Sequence, residues 1–138
     1  MVAADDRLYE YAVVRYVPKV DREEFMNIGL IMMCKRRRWL RGEIRLNEGR
    51  LRALDPHCNF ESLASQASLF SRGDVPSKEL PVEERYRWLA AVKSAVLQVS
   101  PSHPGLLSEQ KVSPAEDESD SEAELDNEFE RLMRELVL

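Results

Sequence analysis

The spacing of apolar and polar positions divides the chain into strand-like runs followed by helix-like ones. Residues Tyr9–Val17 are rich in β-branched and aromatic types and predict a strand, which Pro18 ends. On a two-residue period Tyr9, Tyr11, Val13, Arg15 and Val17 share one face, and Ala12, Val14 and Tyr16 share the other. Both faces are largely apolar, so the strand is expected in the middle of a sheet covered on two sides. Residues Phe25–Cys34 predict a second such strand, and Gly29 inside it predicts a bulge or a close backbone approach. A third strand, about Trp39–Leu46, alternates Trp39, Arg41, Glu43 and Arg45 against Leu40, Gly42, Ile44 and Leu46. That pattern predicts one wet face and one buried face.

Helical periodicity follows. Asn47 is placed to cap a short helix that Asp55-Pro56 stops near Leu54, and Asn59 to cap another with Phe60, Leu63, Ala64 and Ala67 on one side. Arg72-Gly73-Asp74-Val75-Pro76 predicts a surface loop. Pro81, with Glu83 and Glu84 behind it, opens a helix on which Val82, Tyr86, Leu89, Val92 and Val96 recur. Ala95–Val99 fits a fourth strand equally well, and Ser100–Gly105 reads as an irregular turn. Residues 108–120 hold no large apolar residue except Val112. Ser121 and Glu124 then form a capping box ahead of a stripe of Leu125, Phe129, Leu132, Met133 and Leu136. The fold class expected is α+β, an antiparallel sheet of three or four strands covered by helices. Its organisation is a core domain at 1–107, an acidic flexible linker at 108–121 and a C-terminal amphipathic helix at 122–138 packing on the core.

Composition changes this picture in one respect. The 138 residues are 43% hydrophobic and 33% charged with a net charge of -5, an ordinary balance for one domain. The charge is unevenly placed, however. Eight basic residues lie between Lys35 and Arg52 against Glu43 and Glu48, and eleven acidic residues lie between Glu109 and Glu135 against Lys111, Arg131 and Arg134. The asymmetry predicts either a polyanionic partner for the basic segment or an acidic tail that folds over it. No apolar run is long enough for a bilayer span, and no basic-then-apolar leader stands at the N-terminus. With two cysteines and no CxxC pair, a cytoplasmic setting is expected.

Candidate chemistry concentrates between Arg15 and Gly29. Arg15, Glu24 and Asn27 read either as an ion pair and amide that fix a hairpin, or as a small polar pocket in which Arg15 binds an anionic group. Gly29 would let a ligand approach the backbone there. The basic turn Lys35-Arg36-Arg37-Arg38 beside Trp39 has the mixture used on nucleic acid, although a solvated turn is the commoner meaning and the sequence pI of about 5.2 argues against it. Cys34, His57, Cys58 and His103 fit no metal spacing, and the Asp117–Ser121 segment has Glu122 where a calcium loop needs glycine. No phosphate-binding glycine loop or nucleophile elbow occurs, so neither cofactor nor metal is expected.

Arg15-Tyr16-Val17-Pro18 followed by Glu24-Phe25-x-Asn27-x-Gly29 resembles the bacterial family called domain of unknown function 3037. Tyr86-x-Trp88-Leu89, then Gln98-x-Ser100-Pro101 and Gly105, resembles its second block, and the Leu132–Val137 helix its end. The resemblance implies a small bacterial cytoplasmic protein with no established activity, in some cases encoded beside a kinase-like protein of toxin–antitoxin type. It therefore points to an accessory or regulatory protein-interaction module. The alternatives are a small-ligand binder or enzyme using Arg15, Glu24 and Asn27, and a nucleic-acid binder using Lys35–Arg38.

Overall fold

The computed structural model describes residues 7–19, 22–71, 79–91, 97–107 and 118–138. Its strands are β1 (Leu8–Lys19), β2 (Glu24–Cys34), β3 (Trp39–Ile44), β4 (Leu97–Val99) and β5 (His103–Leu106). The helices are α1 (Glu48–Leu54), α2 (Phe60–Ser71), α3 (Val82–Ala90) and α4 (Glu118–Leu136). The sheet is antiparallel in the order β3-β2-β1-β4, with β5 also on β1. Tyr16, Arg15 and Val14 pair with Leu97, Gln98 and Val99, while Tyr11 to Leu8 pair with His103 to Leu106, one residue out of register with the first set. β4 and β5 thus behave as one edge strand broken by a one-residue bulge. The irregular turn expected at 100–105 is largely this strand. The break is bound in by Ser100, a buried hydroxyl that accepts from the Val13 N–H at 2.9 Å and donates to Pro101 O.

β1 is central, as its two apolar faces require. Ala12, Val14 and Tyr16 join Ile28, Ile31 and Met33 in a core beneath Leu51, Leu63, Val82, Tyr86 and Leu89 of α1–α3. Tyr9 and Val13 join Leu30, Met32 and Cys34 on the opposite face, under Leu125, Phe129, Leu132, Met133 and Val137. The sheet therefore lies between α1–α3 and α4. The apolar stripe on α4 docks on the domain's own sheet, and residues 108–117 of the expected linker lie outside the described residues. So do the loop at 72–76 and residues 92–96, where Val92 and Val96 extended the helical pattern.

Several boundaries differ from expectation. β1 continues through Pro18 to Lys19, with a register irregularity after Tyr16 that accommodates the proline's missing N–H. Helix α4 starts at Glu118, so Ser121 sits inside the helix and is not its cap; its hydroxyl accepts from Arg37 Nη1 at 3.2 Å. Both predicted asparagine caps hold: Asn47 Oδ1 accepts from the Arg50 N–H and Asn59 Oδ1 from the Ser62 N–H, each at 3.1 Å. Gly29 provides both features expected of it. The β1–β2 register slips beside it, with Ile28 as the extra residue, and a Cβ at Gly29 would lie 2.6 Å from Glu43 O. The slip keeps Ile28, Ile31 and Met33 in one core although their spacing breaks strict alternation.

Candidate functional site

The bulge at Ile28 also brings Asn27 opposite Arg15. On its other side Arg15 is opposite Gln98 of β4, so Asn27, Arg15 and Gln98 make a polar row across the sheet, register partners sharing a face. Asn27 Nδ2 donates to Leu136 O at 2.9 Å, which fixes the amide and holds the last turn of α4. Arg50 Nη1 reaches Val137 O at 2.8 Å at the same helix end. Two donors, one of them cationic, thus cover carbonyls that the helix itself leaves unpaired. Arg15 stacks its guanidinium on the Phe25 ring, 4.3 Å from the centroid, and Phe25 remains 47% exposed. Beneath it, Arg15 Nε and Asn27 Oδ1 are both buried and without a hydrogen-bond partner.

The expected set is therefore divided. Arg15 and Asn27 are together; Glu24, at the start of β2, is bridged to Arg22 at 2.8 Å. Gly29 admits the backbone of β3. Phe25 and Gln98 belong to the site and were not selected from the sequence. The available signal was Phe25's position two residues before Asn27, which puts both on one side of β2; Gln98 could not be placed before the partner of β1 was known.

The basic segment meets the acidic one within the chain. Arg37 pairs with Glu124 at 2.5 Å, Arg41 with Asp126 at 3.0 Å and Glu130 at 2.9 Å, and Arg45 with Glu130 at 2.7 Å. Glu43 lies between Arg41 and Arg45 and bonds to both. The supposed wet face of β3 is thus half-buried under α4, and Arg41 also lies 4.3 Å over the Phe129 ring. Alternation identified the polar face correctly, but an acidic amphipathic helix, as well as water, can cover arginines. Hydrogen bonding from Arg45 holds the Glu130 carboxyl below its ordinary range, and the same bond keeps Arg45 firmly charged. Across the helix, Tyr9 donates to Glu128 at 2.5 Å; burial first, and then that carboxylate, push the Tyr9 phenol up. Within the basic turn, Lys35, Arg36 and Arg38 are exposed, while Arg37 is half-buried.

The remaining candidates are dispersed. Cys34 and Cys58 are both buried, but they belong to the cores on opposite faces of the sheet. Cys58 is in the loop between α1 and α2, near the point where Tyr16 donates to Asp55 Oδ2 at 2.7 Å. His57 is exposed, and His103 lies against the Tyr11 ring with centroids 5.4 Å apart.

Fold and site define a small α+β domain, an antiparallel sheet between helical layers, with a polar row opening beside an exposed aromatic residue. A family described as "Protein of unknown function (DUF3037)" matches residues 11–137, nearly the whole chain, and the protein belongs to that family. No curated protein and no solved structure matches the chain.

Proposed function

We propose that this protein is a non-catalytic interaction module that binds a protein partner at the corner formed by Phe25, Arg15 and the end of α4. The observation that carries this reading is Phe25: a large ring, nearly half exposed, held on an arginine above unpaired polar atoms. Aromatic residues and arginine dominate interface energetics, and exposed apolar area beside polar groups suits a partner surface. Leu138, 62% exposed, follows the helix end that Asn27 holds and adds apolar area. The basic segment gives less support to a nucleic-acid reading than its charge suggests, because Arg37 of the turn and Arg41 and Arg45 beyond it face carboxylates of the same chain. The family resemblance adds the expectation of a kinase-like partner in the bacterial cytoplasm.

Co-purification from the native host with mass spectrometry, comparing wild type with Phe25→Ala, tests the reading. A partner retained by wild type and lost by a folded Phe25→Ala protein is the expected result. Equal retention by both removes this corner from the interface. Retention of RNA or DNA at low salt, lost on changing Arg36, Arg37 and Arg38 to Ala, would favour the basic turn instead.

A further inference from the structure

The two helical layers do not reach equally far along the strands. On the α4 face Tyr9 and Cys34, near the ends of β1 and β2, are buried. On the α1–α3 face burial stops at Ala12 and Met33. Beyond them Leu8 of β1 and Leu106 of β5 stand opposite one another, each 51% exposed. The register that sets Glu10 opposite Met33 continues to put Lys35 opposite Leu8, and the Cys34 thiol reaches Leu8 O at 3.5 Å in keeping with it. Side chains alternate along a strand, so Leu106, Leu8 and Lys35 form a row on the face of Ala12 and Met33, and all three are exposed. Lys35 opens the basic turn, in which Arg38 is exposed as well.

Helix α4 shows what an apolar strip beside this turn accepts. It lays Leu125, Phe129 and Met133 on the sheet and turns Glu124, Asp126 and Glu130 to Arg37, Arg41 and Arg45. The Leu106–Leu8–Lys35 row has the same composition on the opposite face, apolar at one end and cationic at the other. Glu10 stands two residues from Leu8 on that face, and its carboxylate accepts from the Ser102 hydroxyl at 3.4 Å. An anionic lipid surface broad enough to meet Lys35 would also press on Glu10. A helix is about 10 Å across, roughly two strand spacings, so it can set its acids over the turn and keep them off Glu10. We propose that this row is a second docking surface, and that it takes an acidic amphipathic helix of a protein partner. The apolar side of that helix rests on Leu8 and Leu106, and its carboxylates meet Lys35 and Arg38. The row lies toward the opposite end of β1 from the Arg15–Phe25 corner, so it stands or falls independently of that corner.

The probe is a synthetic peptide with the sequence of residues 118–138, itself an acidic amphipathic helix, added to the full-length protein and followed by backbone amide shifts in NMR. The expected result is saturable shifts at Leu8, Leu106 and Lys35 while Trp39 and Arg41 stay unmoved. Changing Leu8 and Leu106 together to Gln should weaken binding about tenfold at an unchanged melting temperature, because both side chains are exposed. Lys35→Glu should weaken it severalfold, and added salt should erase that difference. Shifts confined to β3 and α4 mean exchange of the resident helix and overturn the proposal. Retention on phosphatidylglycerol vesicles that is lost in the leucine variant, with no peptide binding, identifies a lipid surface and overturns it too. Binding that appears only when residues 108–117 are replaced by a Gly-Ser chain of equal length makes that segment the occupant, against the proposal. The absence of any saturable shift, in wild type and in that replacement, likewise ends it.

Discussion

Phe129→Ala is the sharpest test of how α4 is held. Phe129 is fully buried, meets the Trp39 ring edge-on with centroids 6.5 Å apart, and carries Arg41 over its face. Truncating a buried phenylalanine to alanine costs about 3–5 kcal/mol through lost burial and the cavity left behind. Proteins have roughly 0.05–0.15 kcal/mol of stability per residue, so a chain of this length has on the order of 7–20 kcal/mol, and this one change removes a large fraction. With a urea slope of about 1–3 kcal/mol per molar, the unfolding midpoint should fall by roughly 1–5 M. Trp39 fluorescence reports the event directly if Trp88 is first changed to Phe. Phe129→Leu keeps most of the apolar volume and loses the ring contacts, so it should cost only about 1–1.5 kcal/mol. A Phe129→Ala midpoint within about 0.3 M of wild type, where m predicts several times more, would show that α4 does not rest on the sheet in solution. The layered architecture would then be wrong in that element.

Other outcomes follow from named contacts. Gly29→Ala places a Cβ against Glu43 O and Ile44 Cγ1, at 2.6 and 2.8 Å, so β3 must shift; thermal unfolding should show a loss of about 1–3 kcal/mol. Arg15→Ala should cost under about 1 kcal/mol, because Arg15 has a ring stack and no buried ion pair; a loss of about 3–5 kcal/mol, typical of a broken buried pair, would contradict the geometry. Glu130 has a lowered pKa in the folded chain, so its contribution is present above its ordinary value of 4.5 and is lost as pH falls through the folded value. Acid titration of stability should therefore be shallower in Glu130→Gln, and the difference should shrink at high salt. On the alkaline side, burial pushes Tyr86 up to about 12 from 10.0, so its contribution is lost as pH rises between those values; Tyr86→Phe should flatten the alkaline limb of a stability-against-pH curve.

The strands were legible because β1 and β2 have apolar residues on both faces, a pattern only a twice-covered sheet explains. The same reasoning placed α4 on the sheet, since Leu125, Phe129 and Met133 had to be buried somewhere. What the sequence left open were pairings between distant segments. Ser100–Gly105 reads as a turn because Pro101, Pro104 and Gly105 break strand propensity. Yet Gly105 is required there: a Cβ would fall 2.3 Å from the Tyr9 ring. The phase of the bonding to β1, set by Leu107 N–H donating to Arg7 O, turns Pro104's missing N–H outward, where no partner needs it. At the site, Arg15 and Asn27 stood out as polar residues in apolar strands, but their apposition depends on the Ile28 bulge. Glu24 looked like their natural counter-charge; Arg22, two residues away, has it instead.

Helix α4 is last in chain order among the described elements, and it covers the apolar part of one face of the sheet. That gives biogenesis a definite order of events. About ninety residues separate Cys34 from Leu125. At roughly 5–20 residues per second, a ribosome needs about 5–20 s to make the cover after β1 and β2 beneath it are complete. During that interval Val13, Leu30, Met32 and Cys34 have no intramolecular lid. A nascent chain of this protein therefore carries an uncovered apolar face until α4 emerges, and its soluble yield should respond to chaperone supply more than its final stability suggests.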